Sequence, residues 1–350
     1  MDWRYERRCS IRFMQVDRQT MRDVKELDCF LEFGGEIEEN DLTATKVAGT
    51  LPYIHLPDIG NDYLRVYSVH TQGDEIQEVL HGTFICSAPS SEISRKVHRG
   101  NLDIYSRLEE VQDSGIKAPL SIPQNTVAVS YATSLVNKLG LPVSADISAA
   151  RLTTPWNYRA GTSNLEIVND LLQFAGFASA TVDAYGTIGF HAYTDPSSRA
   201  PSVIFRDDEP GCIFAPTVRH DLDYFSVPNV FVATMSNLET DMVATAINDD
   251  PASIYSTVSR GREIVATEEL SDIESQQALQ DFADRRLTEL SSSVESVEVT
   301  HRFIPYQMGD GVLLSYTEAG FEMSGVAVKR RLVLSPNMLC TTRARRFIRR

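Results

Sequence analysis

Hydrophobic and polar residues alternate in short runs along the first third of the chain, and Gly, Pro, Asn and Asp separate the runs. The runs lie at Cys9–Val16, Cys29–Phe33, Tyr63–His70 and Glu78–Ser87. Runs of this length and period predict β-strands, and several at this spacing predict an antiparallel sandwich or barrel. Gly73-Asp74 lies between two of the runs, which predicts a hairpin turn there.

The middle of the chain changes to a helical period. Apolar residues recur three or four positions apart in a helix predicted over Thr126–Leu139. A second helix is predicted to begin after Ser163, because Ser163 and Glu166 have the spacing of a capping box. The turn residues at Tyr185-Gly186 then predict a β-hairpin.

Strand-like runs return in the last part of the chain. They lie at Val203–Arg206, Ile213–Val218, Val230–Thr234, Val297–Phe303, Gly311–Tyr316 and Ser324–Leu334. One long helix interrupts them and is predicted over residues 271–291, with Ser271 and Glu274 as its capping box. Alternation at Val297–Phe303 predicts a strand with one buried and one solvated face.

These patterns predict an α+β chain that is predominantly β. A chain of 350 residues suits two or three modules rather than one core. Three parts are predicted: a first β-rich domain at 1–115, a small α/β module at 116–200, and a second β-rich domain at 201–350. The last part would carry the long helix and a basic C-terminal tail.

Composition narrows the protein class. The apolar fraction is 42%, yet no apolar run approaches the roughly 18 residues of a membrane helix. The first eight residues are too polar to lead a signal peptide, so folding in a cytoplasm is expected. Five cysteines lie far apart without a C-x-x-C pair, which favours reduced structural thiols.

Charge is distributed unevenly. The net charge is -15. The segment from Lys329 onward contains eight basic residues and no acidic residue, so residues 1–328 carry about -23. An acidic body repels nucleic acid, which argues against a sequence-specific DNA binder. Two interpretations stay open for the basic segment 343–350: a contact with an acidic neighbouring subunit, or a solvated terminus.

Sequence signatures of catalysis and metal binding are lacking. No G-x-S-x-G turn, phosphate-binding loop or closely spaced histidine pair occurs. Asp207-Asp208-Glu209 and Asp249-Asp250 could hold Ca²⁺ or act as an acid/base pair, but each precedes a proline, and such residues usually form solvated turns. No catalytic, cofactor-binding or metal-binding residue is therefore predicted.

Several stretches resemble the baseplate hub proteins of tailed phages, a family that includes tail-associated and spike-carrier proteins. Their order and spacing along about residues 155–316 carry the resemblance. The stretches are Gly161–Leu172, Val182–Gly186, Phe205–Glu209, Asp223–Val230, Asn248–Pro251, Ser259–Arg262, the helix Ser271–Leu290 and Gly309-Asp310.

The resemblance implies a fold and an assembly. The fold would have two tube-type antiparallel β-barrels with an α/β module between them. Three copies would form a pseudo-sixfold ring that joins the tail tube or distal tail ring to a central fibre or spike, with the tape-measure protein as a further possible partner. Such a subunit would be a structural virion component that lines the DNA exit channel, without enzyme activity or cofactor.

Two alternatives remain open at this point. Some tail-tip proteins of this group carry a cell-wall hydrolase or peptidase domain, which the missing catalytic signatures argue against. A carbohydrate-binding or receptor-binding tail protein is the other alternative, suggested by Trp156 and Tyr158 in a β-rich chain. Aromatic residues are more often part of a core than a sugar platform.

Overall fold

The computed structural model is predominantly β with helices packed beside the sheets, so the predicted fold class is confirmed. It describes residues 1–87, 90–94, 97–194, 199–208, 214–222, 225–236, 241–270, 273, 275–292 and 295–346.

The first β-rich region contains eight strands. They are β1 Arg8–Val16, β2 Asp23–Glu26, β3 Gly35–Asn40, β4 Val47–Tyr53, β5 Tyr63–Gln72, β6 Glu75–Cys86, β7 Ser90–Ser94 and β8 Val97–Ser106. The predicted hairpin is confirmed, since Gln72 pairs with Glu75 across a turn in which Gly73 has a φ of +59°. That positive φ favours glycine.

The strand predicted at Cys29–Phe33 is wrong. Within it only Phe30 forms a single bridge, to Tyr53. Cys29 and Phe30 are buried together with Leu27, so their apolar side chains fill the core from irregular backbone. A strand that the sequence analysis did not predict lies instead at β3, because its three glutamates interrupt the apolar pattern.

The middle part forms an α/β module. Its elements are α1 Leu108–Asp113, β9 Leu120–Ile122, α2 Ala128–Asn137, β10 Val143–Ala145, β11 Trp156–Tyr158, α3 Asn164–Phe174, β12 Thr181–Val182 and β13 Ile188–Phe190. The capping prediction is confirmed for α3, because Ser163 Oγ accepts a 3.1 Å hydrogen bond from the Glu166 backbone N–H. The apolar faces of α2 and α3 share one core.

The last part combines strands with the long helix. Its elements are β14 Pro201–Arg206, β15 Phe214–Leu222, β16 Val230–Ser236, β17 Asp241–Ile247, α4 Thr257–Arg260, β18 Val265–Leu270, α5 Gln276–Ser292, β19 Glu295–Arg302, β20 Gly311–Tyr316, a 3-10 turn Thr317–Ala319, β21 Phe321–Leu334 and β22 Leu339–Arg345. The long helix begins at Gln276 rather than at the predicted 271, and Ser275 Oγ accepts a 3.1 Å hydrogen bond from the Ala278 backbone N–H at its start. The predicted capping residues Ser271 and Glu274, and Ile213 of a predicted strand, lie outside the described residues.

The two β-rich regions are joined in one long sheet. Its strand order is β15-β19-β22-β21-β3-β4-β8-β6-β5-β1-β2, and β14, β20 and β7 pair beside this path. Because β21 pairs with β3, strands from opposite ends of the chain lie side by side. The closed form of two separate barrels and the domain boundaries at 115 and 200 stay predictions.

One hydrophobic core also spans both β-rich regions. It contains residues of the first 104 positions together with Phe303, Leu332, Leu334, Met338 and Cys340. The α/β module has its own core, and α5 packs on the small sheet β17-β16-β18 in another. The joint core fixes how the two β-rich regions are oriented.

Candidate functional site

The junction between β3 and β21 is the place where the two β-rich regions meet. Three consecutive basic residues of β21 each form an ion pair with a glutamate of β3. The pairs are Lys329 with Glu38 at 2.8 Å, Arg330 with Glu39 at 2.5 Å and Arg331 with Glu36 at 2.6 Å. Part of the basic charge near the end of the chain therefore neutralises its own acidic body.

Arg330 is the buried member of this set. Its side chain is 9% exposed and that of Glu39 is 17% exposed. The guanidinium lies 4.7 Å from the centre of the Tyr306 ring and donates a 2.9 Å hydrogen bond to the Tyr306 carbonyl. Burial has the largest single effect on the pKa of Arg330 and lowers it, but the Glu39 carboxylate acts together with Tyr306 and Cys340 to raise that pKa overall.

Phe303, which follows β19, enters the first β-rich region at this junction. Its ring stacks on His70 at a centroid distance of 5.6 Å and meets His81 edge-on at 5.1 Å. Ser68 Oγ lies 2.8 Å from Nε2 of His70 and 2.7 Å from Nε2 of His81. Burial lowers the pKa of His70 to about 4 and that of His81 to about 3, so both rings are neutral near pH 7.

A serine beside two histidines resembles a nucleophile and its base. Ser68 and His70 are both completely buried, however, so a substrate cannot reach the hydroxyl. A buried hydroxyl and imidazole need hydrogen-bond partners, and these three residues supply them to one another. The cluster is therefore a polar part of the core. Sequence reasoning missed it because β5 and β6 bring the residues together only by pairing.

The α/β module is attached to the first β-rich region through its hairpin turn. Arg107 donates hydrogen bonds of 3.1 Å to the Gly186 carbonyl and to the Tyr63 hydroxyl, and one of 3.2 Å to Glu110. Thr83 donates a 2.9 Å hydrogen bond to the Ala184 carbonyl. The turn predicted at Tyr185-Gly186 therefore holds the module against the first β-rich region.

Replacing Gly186 with alanine is expected to destabilise this attachment. Gly186 has a φ of +86°, and an added Cβ would lie 2.5 Å from Cδ of the buried Arg107. The backbone conformation alone costs about 1–2 kcal/mol for an L-residue, and the clash adds to it. Denaturant unfolding of the two proteins measures the loss.

Gly176→Ala is the matched control for that experiment. Gly176 has a φ of +74° in the same module, but no atom lies within 4 Å of the added Cβ. Gly176→Ala should lower the free energy of unfolding only by the cost of the backbone conformation, because its added Cβ meets no other atom. Equal losses in the two variants would show that the contact with Arg107 contributes nothing.

The acidic clusters noted in the sequence form turn contacts. Asp207 accepts hydrogen bonds of 2.7 Å and 3.0 Å from the backbone N–H groups of Thr317 and Glu318. Asp250 accepts one of 2.9 Å from the Ala252 N–H. Glu209 lies outside the described residues. Within the described ranges no group of three or more His, Cys, Asp or Glu could hold a metal ion.

Trp156, considered above as a sugar-binding aromatic residue, is part of the core. Only 6% of it is exposed, and its ring packs edge-on against Phe174 at 5.5 Å. Tyr158 donates a 3.1 Å hydrogen bond to Asp170. The carbohydrate-binding alternative therefore loses the residues that suggested it, because both side chains contact α3.

The described part of the basic C-terminal segment is held within the chain. Arg343 and Arg345 belong to strand β22, so they are not a free tail. Arg343 donates a 3.0 Å hydrogen bond to Ser296, and Arg346 pairs with Glu295 at 2.9 Å. Residues 347–350 lie outside the described part, and the contact of segment 343–350 with a neighbouring subunit stays a prediction.

Two further sequence expectations concern cysteines and membranes. Cys9, Cys29, Cys86 and Cys340 are free thiols, and Cys212 lies outside the described residues. The described helices include none with the length and apolar character needed to cross a membrane.

Comparison with known proteins gives a consistent fold. No family model and no curated protein matches the chain. Solved structures do: a tail protein from Neisseria meningitidis has 14% identity and a TM-score of 0.71, with 97% of both chains covered. A 43 kDa prophage tail protein from Shewanella oneidensis has 10% identity and a TM-score of 0.70, with 97% of this chain and 98% of the other covered.

A prophage tail protein from Listeria monocytogenes is also similar, with 11% identity, a TM-score of 0.59 and coverage of 96% of this chain and 94% of the other. At such low identity the likeness is one of fold. The chain therefore has the fold of phage-type tail proteins, and the resemblance to baseplate hub proteins inferred from its sequence is confirmed at that level.

Proposed function

We propose that this chain is a structural, non-enzymatic hub subunit of a phage-type tail tip or baseplate. Three copies form a pseudo-sixfold ring that joins the tail tube or distal tail ring to a central fibre or spike. The observation that carries the proposal is the single long sheet that passes through both β-rich regions. Each copy thus supplies two neighbouring β-rich units, and three copies supply six.

The rigidity of the junction supports this role. A ring that adapts three subunits to a sixfold partner needs its two units held at a fixed angle within each subunit. The β3–β21 pairing, the three ion pairs and the common core restrain that angle. Fold similarity to tail proteins along nearly the whole chain agrees with a part in a tail assembly.

The outward face of the long sheet is suited to line the DNA exit channel. Its charges lie in opposite pairs, such as Lys329 with Glu38 and Arg331 with Glu36. Glu298 and Arg343 are directly opposed on β19 and β22. Cations that are already paired with carboxylates hold DNA phosphates weakly, so DNA would slide along such a face.

The two strands that end the main path of the long sheet, β2 and β15, are poorly suited to pairing with another copy. At one end, β2 has only four residues, and Asp23, Lys25 and Glu26 are charged. At the other end, β15 contains Pro216. Short charged strands and prolines discourage strand pairing between chains. Strand pairing between copies is therefore not expected at β2 or β15.

The purified full chain is expected to form a trimer. Mass photometry over a dilution series should give three copies, and end-on electron-microscopy images should show a ring with six similar lobes. A monomer at all concentrations would contradict the proposal. Cell-wall degradation by the purified chain would favour the hydrolase alternative instead.

A further inference from the structure

Segment 1–7 lies across the junction between the two β-rich regions. The ring of Trp3 meets the ring of His70 edge-on at a centroid distance of 4.9 Å and meets Phe303 edge-on at 5.7 Å. His70 belongs to β5 of the first region, whereas Phe303 follows β19 of the second. This segment, which belongs to no strand or helix, therefore contacts both regions at once.

Arg7 holds this segment in place. Its guanidinium lies 4.6 Å from the centre of the Trp3 ring, and its Nη1 donates a 3.0 Å hydrogen bond to the Trp3 carbonyl. Its Nη2 donates to the Phe303 carbonyl, and its Nε donates a 3.2 Å hydrogen bond to Nδ1 of His70. One side chain thus joins the segment, the first β-rich region and the second.

The contact between Arg7 and His70 determines where the protons of the buried histidine cluster lie. A guanidinium has only donors, so Nδ1 of His70 carries no proton, and the proton of the neutral ring is on Nε2. His70 then donates to Ser68 Oγ. Ser68 is completely buried, so its hydroxyl hydrogen needs an acceptor, which is Nε2 of His81. The hydrogen bonds therefore run in one direction, from Arg7 through His70 and Ser68 to His81.

A proton added to His70 would break this chain of hydrogen bonds at Arg7. The proton would occupy Nδ1, which accepts the hydrogen bond from Arg7 Nε, so two N–H groups and two positive charges would face each other. The other charged and titratable groups around the two histidine rings are Cys9, Glu39, Arg302, Arg330 and Cys340. Two of these groups are cations, and Glu39 is already paired with Arg330. The surroundings therefore disfavour a positively charged ring.

We propose that Arg7 and His70 form a proton-sensitive switch. Segment 1–7 is closed on the junction while His70 is neutral, and it is released when His70 takes up a proton. Release withdraws the Trp3 ring and the Arg7 guanidinium from Phe303, so the two β-rich regions lose one of the contacts that hold their angle. The switch belongs to the single chain, so the inference does not rest on the trimer proposed above.

The direction of the pH effect follows from burial. In the closed form burial, and to a smaller extent the charge of Arg7, lowers the pKa of His70 from 6.5 to about 4. Release removes two side chains that contact the ring, so its pKa moves back towards the ordinary value. The open form therefore binds more protons as the pH falls, and the closed form loses stability. The ratio of open to closed form should rise by up to about 10-fold per pH unit, the value for one proton.

Fluorine NMR of the full chain labelled with 5-fluorotryptophan tests the switch. The sequence contains two tryptophans, Trp3 and the buried Trp156, so each gives its own signal, and Trp3→Phe assigns them. As the pH is lowered from about 7, the Trp3 signal should move to the position of a solvated indole before the Trp156 signal or the circular dichroism changes. A Trp3 signal that stays fixed, or that moves only together with the other two, would overturn the inference.

Two substitutions in the switch have different expected effects on the Trp3 signal. Arg7→Gln removes the guanidinium that joins the segment to both regions, so the signal should already have its solvated position near neutral pH. His70→Gln keeps a side chain that can accept from Arg7 and donate to Ser68 but takes up no proton. In that variant the signal should stay at its closed position until the whole chain unfolds.

Arg4→Gln is the matched control for Arg7→Gln. It removes the same charge from the same segment, at a side chain that is 63% exposed. It should leave the Trp3 signal and its pH dependence as they are in the wild-type chain. An equal change in both variants would show a general effect of charge, and an Arg7→Gln signal like that of the wild-type chain would show that Arg7 does not close the segment. Either result would contradict the switch.

Nitrogen NMR of the histidine rings tests the chain of hydrogen bonds separately. In the protein labelled with ¹⁵N-histidine, near neutral pH, the His70 proton should be on Nε2 and the His81 proton on Nδ1. A His70 proton on Nδ1 would mean that Arg7 does not donate to this ring, and the inference would fail. A monomeric chain that shows the expected NMR results would contradict the proposed ring and leave the switch intact.

Discussion

Replacing Arg330 with alanine is expected to lower the free energy of unfolding by about 3–5 kcal/mol, because it leaves the Glu39 carboxylate unpaired in a nearly closed environment. The Tyr306 carbonyl loses its donor in the same step. Denaturant unfolding followed by circular dichroism measures the effect. The junction between the β-rich regions should be the part that opens first, which hydrogen exchange in β3 and β21 would detect.

Arg331→Ala is the matched control for Arg330→Ala. Its partner is also a glutamate of β3, but the side chains of Arg331 and Glu36 are 52% and 41% exposed. Solvent-exposed ion pairs contribute about 0–1 kcal/mol, so a small loss is expected. Similar losses in the two variants would show that burial at Arg330 does not strengthen the junction.

Acidification from pH 6.5 to about 4.5 is expected to destabilise the chain. His70, His81 and His301 have pKa values of about 4, 3 and 4 when folded, against 6.5 ordinarily, mainly because burial disfavours the charged ring. As the pH falls through this range, the unfolded chain binds up to three more protons at these rings than the folded chain does, so the free energy of unfolding falls. Asp170 opposes the trend, since burial raises its pKa to about 6.

Unfolding then takes up about two protons in total, so the free energy of unfolding should change by about 3 kcal/mol per pH unit. Unfolding free energies measured at intervals across this range test the slope. His81→Gln should reduce the slope by about 1.4 kcal/mol per pH unit, the contribution of one proton. A free energy of unfolding that stays constant between pH 6.5 and 4.5 in the wild-type chain would contradict the burial of neutral histidine rings.

Local sequence patterns predicted the structure correctly at three places where residues a few positions apart determine it. The capping box at Ser163 predicted the start of α3, and the turn at Gly73 predicted the β5–β6 hairpin. The alternation in β19 correctly predicted its buried side, with Val297, Val299 and His301 each 2% exposed. Caps, turns and periodicity depend on residues a few positions apart, so one sequence contains the whole signal.

The same local reasoning failed where distant residues supply the stabilising contact. Strand β3 carries three glutamates, and their partners lie about 290 residues later on β21. Cys29 and Phe30 looked like part of a strand because both are apolar, yet they fill a core from irregular backbone. The Ser68 cluster exists only because β5 and β6 pair around Phe303.

The sequence by itself determined the predominantly β class, the cap of α3, the hairpin turn at Gly73, and the order of motifs that resembles phage hub proteins. Only the tertiary structure decided that both β-rich regions share one sheet and one core, and that α5 packs on the β17-β16-β18 sheet. The physical reason is range: helices and turns are set by nearby residues, whereas strand pairing and burial depend on residues that only the folded chain brings together.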